Sequence, residues 1–193
     1  MNDPASPPDP WTPTTIRGVF RRALQAHADE RGSFTELWRE SWTSGVTSRS
    51  FRQANLSRSR ARVLRGMHFH ARQSDLWLVA EGAAVVAVAD LRGMVEAATA
   101  RPQVETLELA AGDAILIPEL VAHGFYARTD LTLIYLVTNE FDGSDELGFH
   151  WADPDAAIPW PDSDPIVSER DRSNPDIRTA LGQLDQAGAS SSA

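Results

Sequence analysis

Two separate segments hold the side chains best suited to acid–base or metal chemistry. The first contains His68, His70 and Asp75, and the second contains His123. If the first segment is a β-strand, His68 and His70 point to one face, because side chains alternate between the faces of a strand. A strand face that served only for packing would have little reason to carry two imidazoles near a carboxylate. The pattern therefore predicts a functional site.

A metal centre is one interpretation of these residues. Their order resembles the two-part metal motif of the cupin superfamily, whose spacing is completed here by Gly82, Gly112 and Pro118. Three imidazoles and one carboxylate suit a single divalent ion of iron, manganese, nickel, copper or zinc. Such an ion would keep open positions for water or substrate. The alternative is that the histidines are hydrogen-bonding groups of a polar cavity without a metal.

Composition limits the class of protein. The chain has 193 residues, enough for one domain with a sizeable core. A net charge of −9 argues against nucleic acid and anionic membranes as partners. No apolar run approaches the roughly 18 residues of a membrane span, and the N-terminus lacks the features of a secretory signal. With no cysteine present, these features fit a cytoplasmic protein.

The basic residues are all of one type. All 18 are arginine, and lysine is absent from the chain. This excludes Schiff-base chemistry and a lysine general base.

The pattern of short apolar or alternating runs separated by turn residues predicts an all-β fold, a sandwich or jelly-roll barrel. We expect a disordered tail over residues 1–12, one jelly-roll domain over 13–185 and a second disordered tail over 186–193. Helical signals are confined to short peripheral segments. Asn174 and Pro175 predict a helix start near the C-terminus.

Ordered matches to one known family run from residue 29 to residue 171. They include VLRGMHF (63–69), IPE (117–119), AHGF (122–125) and SERD (168–171). These segments resemble the dTDP-4-dehydrorhamnose 3,5-epimerase family, itself a cupin-type jelly roll. The resemblance implies an isomerase of deoxysugar biosynthesis that binds a dTDP-linked 4-keto-6-deoxyhexose. Such an enzyme inverts C3, C5 or both by removing and returning protons beside the ketone, without a cofactor.

The resemblance also implies roles for particular residues. His68 would be the base, oriented by Asp153, and Tyr135 would return a proton from the opposite face. The expected substrate-binding residues are Arg31, Glu36, Gln53, Asn55, Arg65 and His123. Family members are homodimers that exchange strands, so some of these residues would serve the neighbouring site.

These roles make chemical sense. A proton next to a ketone is only weakly acidic, so a base must lie within hydrogen-bond reach of it. The developing enolate needs a cation or hydrogen-bond donors beside its oxygen. Arginine suits a diphosphate because its planar guanidinium binds two oxygens at once.

The chain departs from the family at three informative positions. Asp75 stands where the family usually has lysine, His70 where it has glutamine, and Val86 where it has an acidic residue. The first two changes convert a metal-free pattern into the cupin metal pattern. If His68 were a metal ligand it could not easily be the base, and Tyr135 or Asp153 would have to take the proton.

Three hypotheses follow from the sequence. The first is an epimerase-like enzyme. The second is a metal-dependent cupin isomerase or oxygenase that uses His68, His70, Asp75 and His123 on another small substrate. The third is a cupin that binds a ligand without catalysis.

Overall fold

The fold is built from two β-sheets whose inner faces pack against each other. The structure, a computed structural model, describes residues 11–97 and 100–184. Strands and helices are numbered in chain order. The first sheet has the strand order β1 (Thr12–Pro13), β2 (Phe20–Ala23), β10 (Asp113–Ile117), β7 (Asp75–Glu81), β12 (Leu131–Val137) and β5 (Gln53–Ser59).

The second sheet lies across the core from the first. Its order is β13 (Leu147–Gly148), β6 (Val63–Phe69), β11 (Val121–Ala127), β8 (Ala83–Asp90) and β9 (Gln103–Ala110), and β14 (Ile166–Val167) pairs in parallel with β6. A separate hairpin is formed by β3 (Ala26–Asp29) and β4 (Gly32–Thr35). The helices are α1 (Glu40–Thr43), α2 (Arg92–Glu96), α3 (Glu169–Ser173) and α4 (Ile177–Leu181).

The alternation of side chains along the strands decides which residues face the interior. In β7, Trp77 and Val79 point between the sheets, whereas Leu76 and Leu78 pack on the outer face. The central strands of the first sheet are covered on both faces, which explains why β7 is almost continuously apolar. Burial of this kind contributes about 25 cal/mol per Å² of apolar surface, the main favourable term in folding.

Apolar side chains from both sheets fill one part of the interior. Val79 and Ile115 from the first sheet pack with Val86, Val88 and Phe125 from the second. The inward residues near Asp75 and His68 are polar instead. The sandwich therefore has a dry, closed part and a part left as a polar cavity.

Two glycines bring β6 and β11 close together behind the histidines. A Cβ on Gly124 would lie 2.8 Å from the carbonyl oxygen of Arg65, and one on Gly66, whose φ is +130°, would lie 2.7 Å from the Cα of Gly124. Only glycine tolerates such contacts. This close approach accompanies a register shift in the ladder that pairs His123 with His68.

The predicted all-β class with short peripheral helices is confirmed. The helix near the C-terminus starts later than expected, because its N-cap is Asp176 rather than Asn174; the Asp176 carboxylate accepts from the backbone N–H groups of Arg178 and Thr179. Thr12, which was expected to lie in the N-terminal tail, pairs instead with Arg21, and residues 1–10 of that tail lie outside the described residues. The expected C-terminal tail, 186–193, lies outside the described residues. None of the helices within 11–97 and 100–184 combines the length and apolarity needed to cross a membrane.

Candidate active site

A partly open cavity of about 400 Å³ lies between the sheets at their polar end. This volume is within the range of small-ligand sites. Inward positions of five strands, β5, β6, β7, β11 and β12, supply most of the wall, and two loops and α3 complete it. The lining comprises Gln53, Asn55, Ser57, Arg65, His68, His70, Gln73, Asp75, Trp77, His123, Phe125, Leu133, Tyr135, Val137, Phe141, Glu146 and Arg170.

His68 forms a dyad with Asp171. Its Nε2 lies 2.6 Å from Oδ1 of Asp171, which is only 4% exposed, whereas His68 itself is 26% exposed. Burial alone would raise the pKa of Asp171. The hydrogen bond and charge of His68, with donors from Gly66 and Ser168, lower it below the ordinary value instead. An ionised Asp171 holds the Nε2–H tautomer, which leaves Nδ1 of His68 with a free lone pair.

The prediction that Asp153 orients His68 is wrong. Asp153 is buried away from the cavity, where its Oδ1 accepts from the backbone N–H groups of Asp155 and Ala156 and its Oδ2 from that of Ile177. These bonds fix the turn that follows residue 153 and the start of α4. The role of Asp153 is structural because its acceptor capacity is directed to the backbone.

Asp171 is a functional residue that the sequence does not identify, although it lies in the matching segment 168–171. Ser168 caps α3 by accepting from the Asp171 N–H at 3.1 Å, which places the carboxylate on the first turn, facing β6. The serine-x-x-acid spacing predicts such a helix start. Nothing local indicates that this turn packs against a histidine 103 positions earlier in the chain.

Tyr135 lies on β12 and reaches the same cavity. Its backbone pairs with Trp77 on one side and with Asn55 on the other. Partial burial raises the pKa of Tyr135, the charges of Asp75 and Glu146 raise it further, and Arg65 opposes them. Tyr135 is therefore a neutral phenol at physiological pH and is able to donate a proton.

Three of the four predicted metal ligands come together. One potential ligand atom from each of His70, Asp75 and His123 lies within 4.8 Å of the others, and all three residues are buried. The prediction that His68 belongs to this set is wrong, since His68 is not part of the group and its Nε2 is engaged by Asp171. His68 and the cluster of potential ligands therefore occupy one cavity without sharing a residue.

His123 is uncharged at neutral pH. Burial lowers its pKa to about 4, and the nearby carboxylate of Asp75 opposes this only in part. The 3.7 Å approach of His123 Nε2 to Asp75 Oδ2 is therefore not an ion pair at neutral pH. Trp77 packs edge-on against the imidazole, with ring centroids 5.1 Å apart.

The outer part of the cavity is polar and carries charges of both signs. Arg65 and Arg170 both line it, and Arg170 forms an ion pair with Glu146 at 3.4 Å. Gln53 and Asn55 bond to each other at 2.9 Å. Phe141 also lines the cavity but is 67% exposed, which places an open aromatic surface at its edge.

Two predicted substrate-binding residues do not reach the cavity within this chain. Arg31 is exposed in the β3–β4 hairpin and pairs with Asp29 at 2.5 Å, and Glu36 pairs with Arg39. Neither side chain lines the cavity, whereas Gln53, Asn55, Arg65 and His123 do.

Comparison with known proteins shows which family the chain is similar to. The sequence profile of the dTDP-4-dehydrorhamnose 3,5-epimerase family matches residues 13–179. The chain belongs to this family. A dTDP-4-dehydrorhamnose 3,5-epimerase from Streptomyces griseus is 32% identical over 176 residues, covering 86% of this chain and 85% of that protein. A dTDP-4-dehydrorhamnose 3-epimerase from Streptomyces niveus is 35% identical over 167 residues, covering 83% and 80%.

Solved structures agree with the family assignment. A dTDP-6-deoxy-D-glucose-3,5-epimerase from Legionella pneumophila, in complex with dTDP-4-keto-L-rhamnose, superposes with a TM-score of 0.78 at 26% identity. The match covers 91% of this chain and 94% of that one. The cupin-type jelly roll expected from the sequence is thereby confirmed.

Proposed function

We propose that this chain is an epimerase that acts on a dTDP-linked 4-keto-6-deoxyhexose, inverting C3, C5 or both. The observation that carries the proposal is that His68, which pairs with the buried carboxylate of Asp171, lines the same cavity as Tyr135 in a member of this family. The relatives that act at one and at two centres are both similar to this chain, so the proposal leaves the number of inversions open.

The residues present supply both proton transfers. Nδ1 of His68 removes the proton next to the ketone, the C–H electron pair forms a carbon–carbon double bond to C4, and the carbonyl π pair moves to the C4 oxygen to give an enolate. Asp171 stabilises the resulting imidazolium. Tyr135 then donates its phenolic proton to the opposite face of the carbon, which inverts the centre. Solvent resets both groups, so the two proton transfers use only His68, Tyr135 and water as proton carriers.

The outer cavity suits a nucleoside diphosphate. Arg65 and Arg170 offer planar guanidinium groups, which bind phosphate oxygens in pairs. The exposed ring of Phe141 is available for stacking against a base. The Legionella pneumophila relative was solved with a dTDP-linked keto sugar, which agrees with this assignment.

The functional unit would be a homodimer. The β3–β4 hairpin is exposed throughout most of both strands and leaves Phe34 65% exposed, an unusual state for a two-stranded sheet of this length. Docking of this hairpin on a second copy would bury Phe34 and bring Arg31 to the neighbouring site, as the family resemblance implies. Analytical ultracentrifugation is expected to give twice the chain mass, and a monomer at micromolar concentration would contradict the proposal. A cytoplasmic location, expected from the sequence, belongs to the same proposal.

Proton exchange gives the direct test of the activity. The protein is incubated with dTDP-4-keto-6-deoxyglucose in deuterated water, and the reaction is followed by NMR. We expect deuterium to enter at C3, C5 or both. Loss of the C–H signals with appearance of an inverted sugar supports the proposal. Absence of exchange, with and without added divalent metal, contradicts it.

The two other hypotheses predict different outcomes of the same experiment. A cupin that only binds its ligand would protect the protein against thermal unfolding in the presence of dTDP and show no exchange. A metal-dependent enzyme for another substrate would show neither exchange nor dTDP binding. It is nevertheless favoured by one specific observation, the cluster of His70, Asp75 and His123.

A further inference from the structure

The cavity contains a group of ligating atoms that the proton-transfer steps do not use. His70, Asp75 and His123 are 5%, 4% and 4% exposed, and they converge from the end of β6, the start of β7 and the middle of β11. Two imidazoles and one carboxylate on one side of an open space form the donor set of sites that keep free positions on the metal.

Both histidines are held in the tautomer that metal binding requires. The Nδ1–H of His70 donates to the backbone carbonyl of Asp145 at 2.5 Å, and the Nδ1–H of His123 donates to that of Val121 at 3.1 Å. Each bond leaves Nε2 as an unprotonated donor atom. Metal-bound histidines are usually fixed in this way by a carbonyl or carboxylate on the other ring nitrogen.

Hydrogen bonds from two neighbouring side chains also fix the orientation of the Asp75 carboxylate. Its Oδ1 accepts from the Gln73 amide at 2.9 Å and its Oδ2 from the Trp77 indole at 3.1 Å. Both of these donors are neutral, so neither balances the charge of a buried carboxylate. Burial of a carboxylate is costly unless a cation or several donors compensate it.

The three groups face one another as acceptors with no donor between them. His123 Nε2 and Asp75 Oδ2 are 3.7 Å apart, too far for a hydrogen bond. Within residues 11–97 and 100–184, no hydrogen bond reaches Nε2 of either histidine. A cation between the three atoms would turn this repulsive arrangement into a favourable one.

We propose that His70, Asp75 and His123 bind one divalent first-row transition metal ion, and that His68 acts as base in the same cavity. This inference rests on the proposed function only for what the ion does, not for its binding. Bound there, the ion would polarise the keto oxygen as a Lewis acid, in a cavity wall that offers no lysine to the enolate.

Metal binding is tested without reference to activity. Tag-free protein, stripped with a chelator and dialysed, is titrated with Co²⁺ and followed by visible absorption, with mass spectrometry of the bound metal as a second measure. We expect one ion per chain. The substitutions His70→Gln and Asp75→Asn are expected to weaken the affinity by at least about 10–100-fold, the loss produced even by removing an outer partner of a ligand.

A matched control separates this site from adventitious binding by surface histidines. His150 lies outside the cavity, where its Nδ1 accepts from the Ala152 N–H at 3.2 Å, so His150→Gln should leave the affinity for Co²⁺ unchanged. Circular dichroism and the thermal midpoint verify that each variant is folded. Failure of the wild type to bind Co²⁺ at micromolar concentration, or equal binding by folded His70→Gln, overturns the proposal.

The double substitution His70→Gln with Asp75→Lys tests what the ion does. It removes two ligands and places a fixed cation in the cavity wall. We expect this variant to bind no Co²⁺ and to exchange substrate protons in a chelator-insensitive way, whereas exchange by the wild type falls on metal removal. Wild-type exchange that a chelator leaves unchanged overturns the Lewis-acid role. Ligand-dependent Co²⁺ binding without any exchange supports the metal site while refuting the proposed epimerase function.

Discussion

Replacing His68 with asparagine is expected to lower kcat for epimerisation by about 10²–10⁴-fold, the contribution of a positioned general base. Asparagine is polar and smaller than histidine, and it has no basic nitrogen to accept the substrate proton. The expected result is a folded protein that still binds the nucleotide and exchanges protons at C3 or C5 more slowly by the same factor. Steady-state kinetics and deuterium exchange followed by NMR measure both quantities.

Two aspartate variants serve as the comparison for this prediction. Asp171→Asn removes the carboxylate 2.6 Å from His68 and should lower kcat, because the amide no longer favours the imidazolium. Asp153→Asn should leave the kcat of folded protein unchanged and lower the free energy of unfolding by about 1–3 kcal/mol, since buried N–H groups lose an acceptor. The reverse result would restore Asp153 as the partner of His68.

The lowered pKa of Asp171 sets the direction in which its contribution to stability changes with pH. Its pKa lies below the ordinary value of 3.8 in the folded protein. The stabilisation that it contributes is therefore complete above that ordinary value and is lost only as the pH falls through the lowered pKa. A decline in activity at mildly acidic pH reports a group other than Asp171.

The strand pattern carried most of the information on the fold. Strand alternation predicted that His68 and His70 would share one face, and both line the cavity, as does Tyr135, whose place in the site was implied by the family resemblance. The two glycines that allow β6 and β11 to touch have no such signature, because their requirement depends on a neighbouring strand rather than on local sequence. The cap of α4 was misplaced by two residues since Asn174 and Asp176 are equally good capping residues.

The site was harder to predict than the fold wherever it depends on long-range packing. Asp153 and Asp171 are both buried aspartates near the C-terminus, and only the three-dimensional position of α3 decides which one meets His68. Spacing alone likewise grouped His68 with the metal ligands. Of the two histidines in the first segment, only His70 places a potential ligand atom in the cluster. Arg31 and Glu36 were expected to bind substrate, but neither side chain lines the cavity of its own chain.

Replacing Tyr135 with phenylalanine is expected to separate exchange from inversion. His68 can still remove and return a proton on its own face, so deuterium should enter the substrate at a rate within about tenfold of the wild type. The inverted product should form at least about 10²-fold more slowly, because the acid on the opposite face is gone. Within the described residues the Tyr135 hydroxyl has no hydrogen bond, so its removal leaves no partner unsatisfied and the stability should hold.

Tyr126→Phe provides the matched control, since Tyr126 is the other tyrosine of the chain and donates to Asp162 at 3.2 Å outside the cavity. Inversion by this variant should equal that of the wild type. In Tyr126→Phe, ultraviolet titration also reports Tyr135 alone. Because burial and the charges of Asp75 and Glu146 raise the pKa of Tyr135 above 10.0, its ionisation and the alkaline loss of inversion should both occur above that pH. Inversion that persists in Tyr135→Phe would mean that another group, or water, protonates the second face.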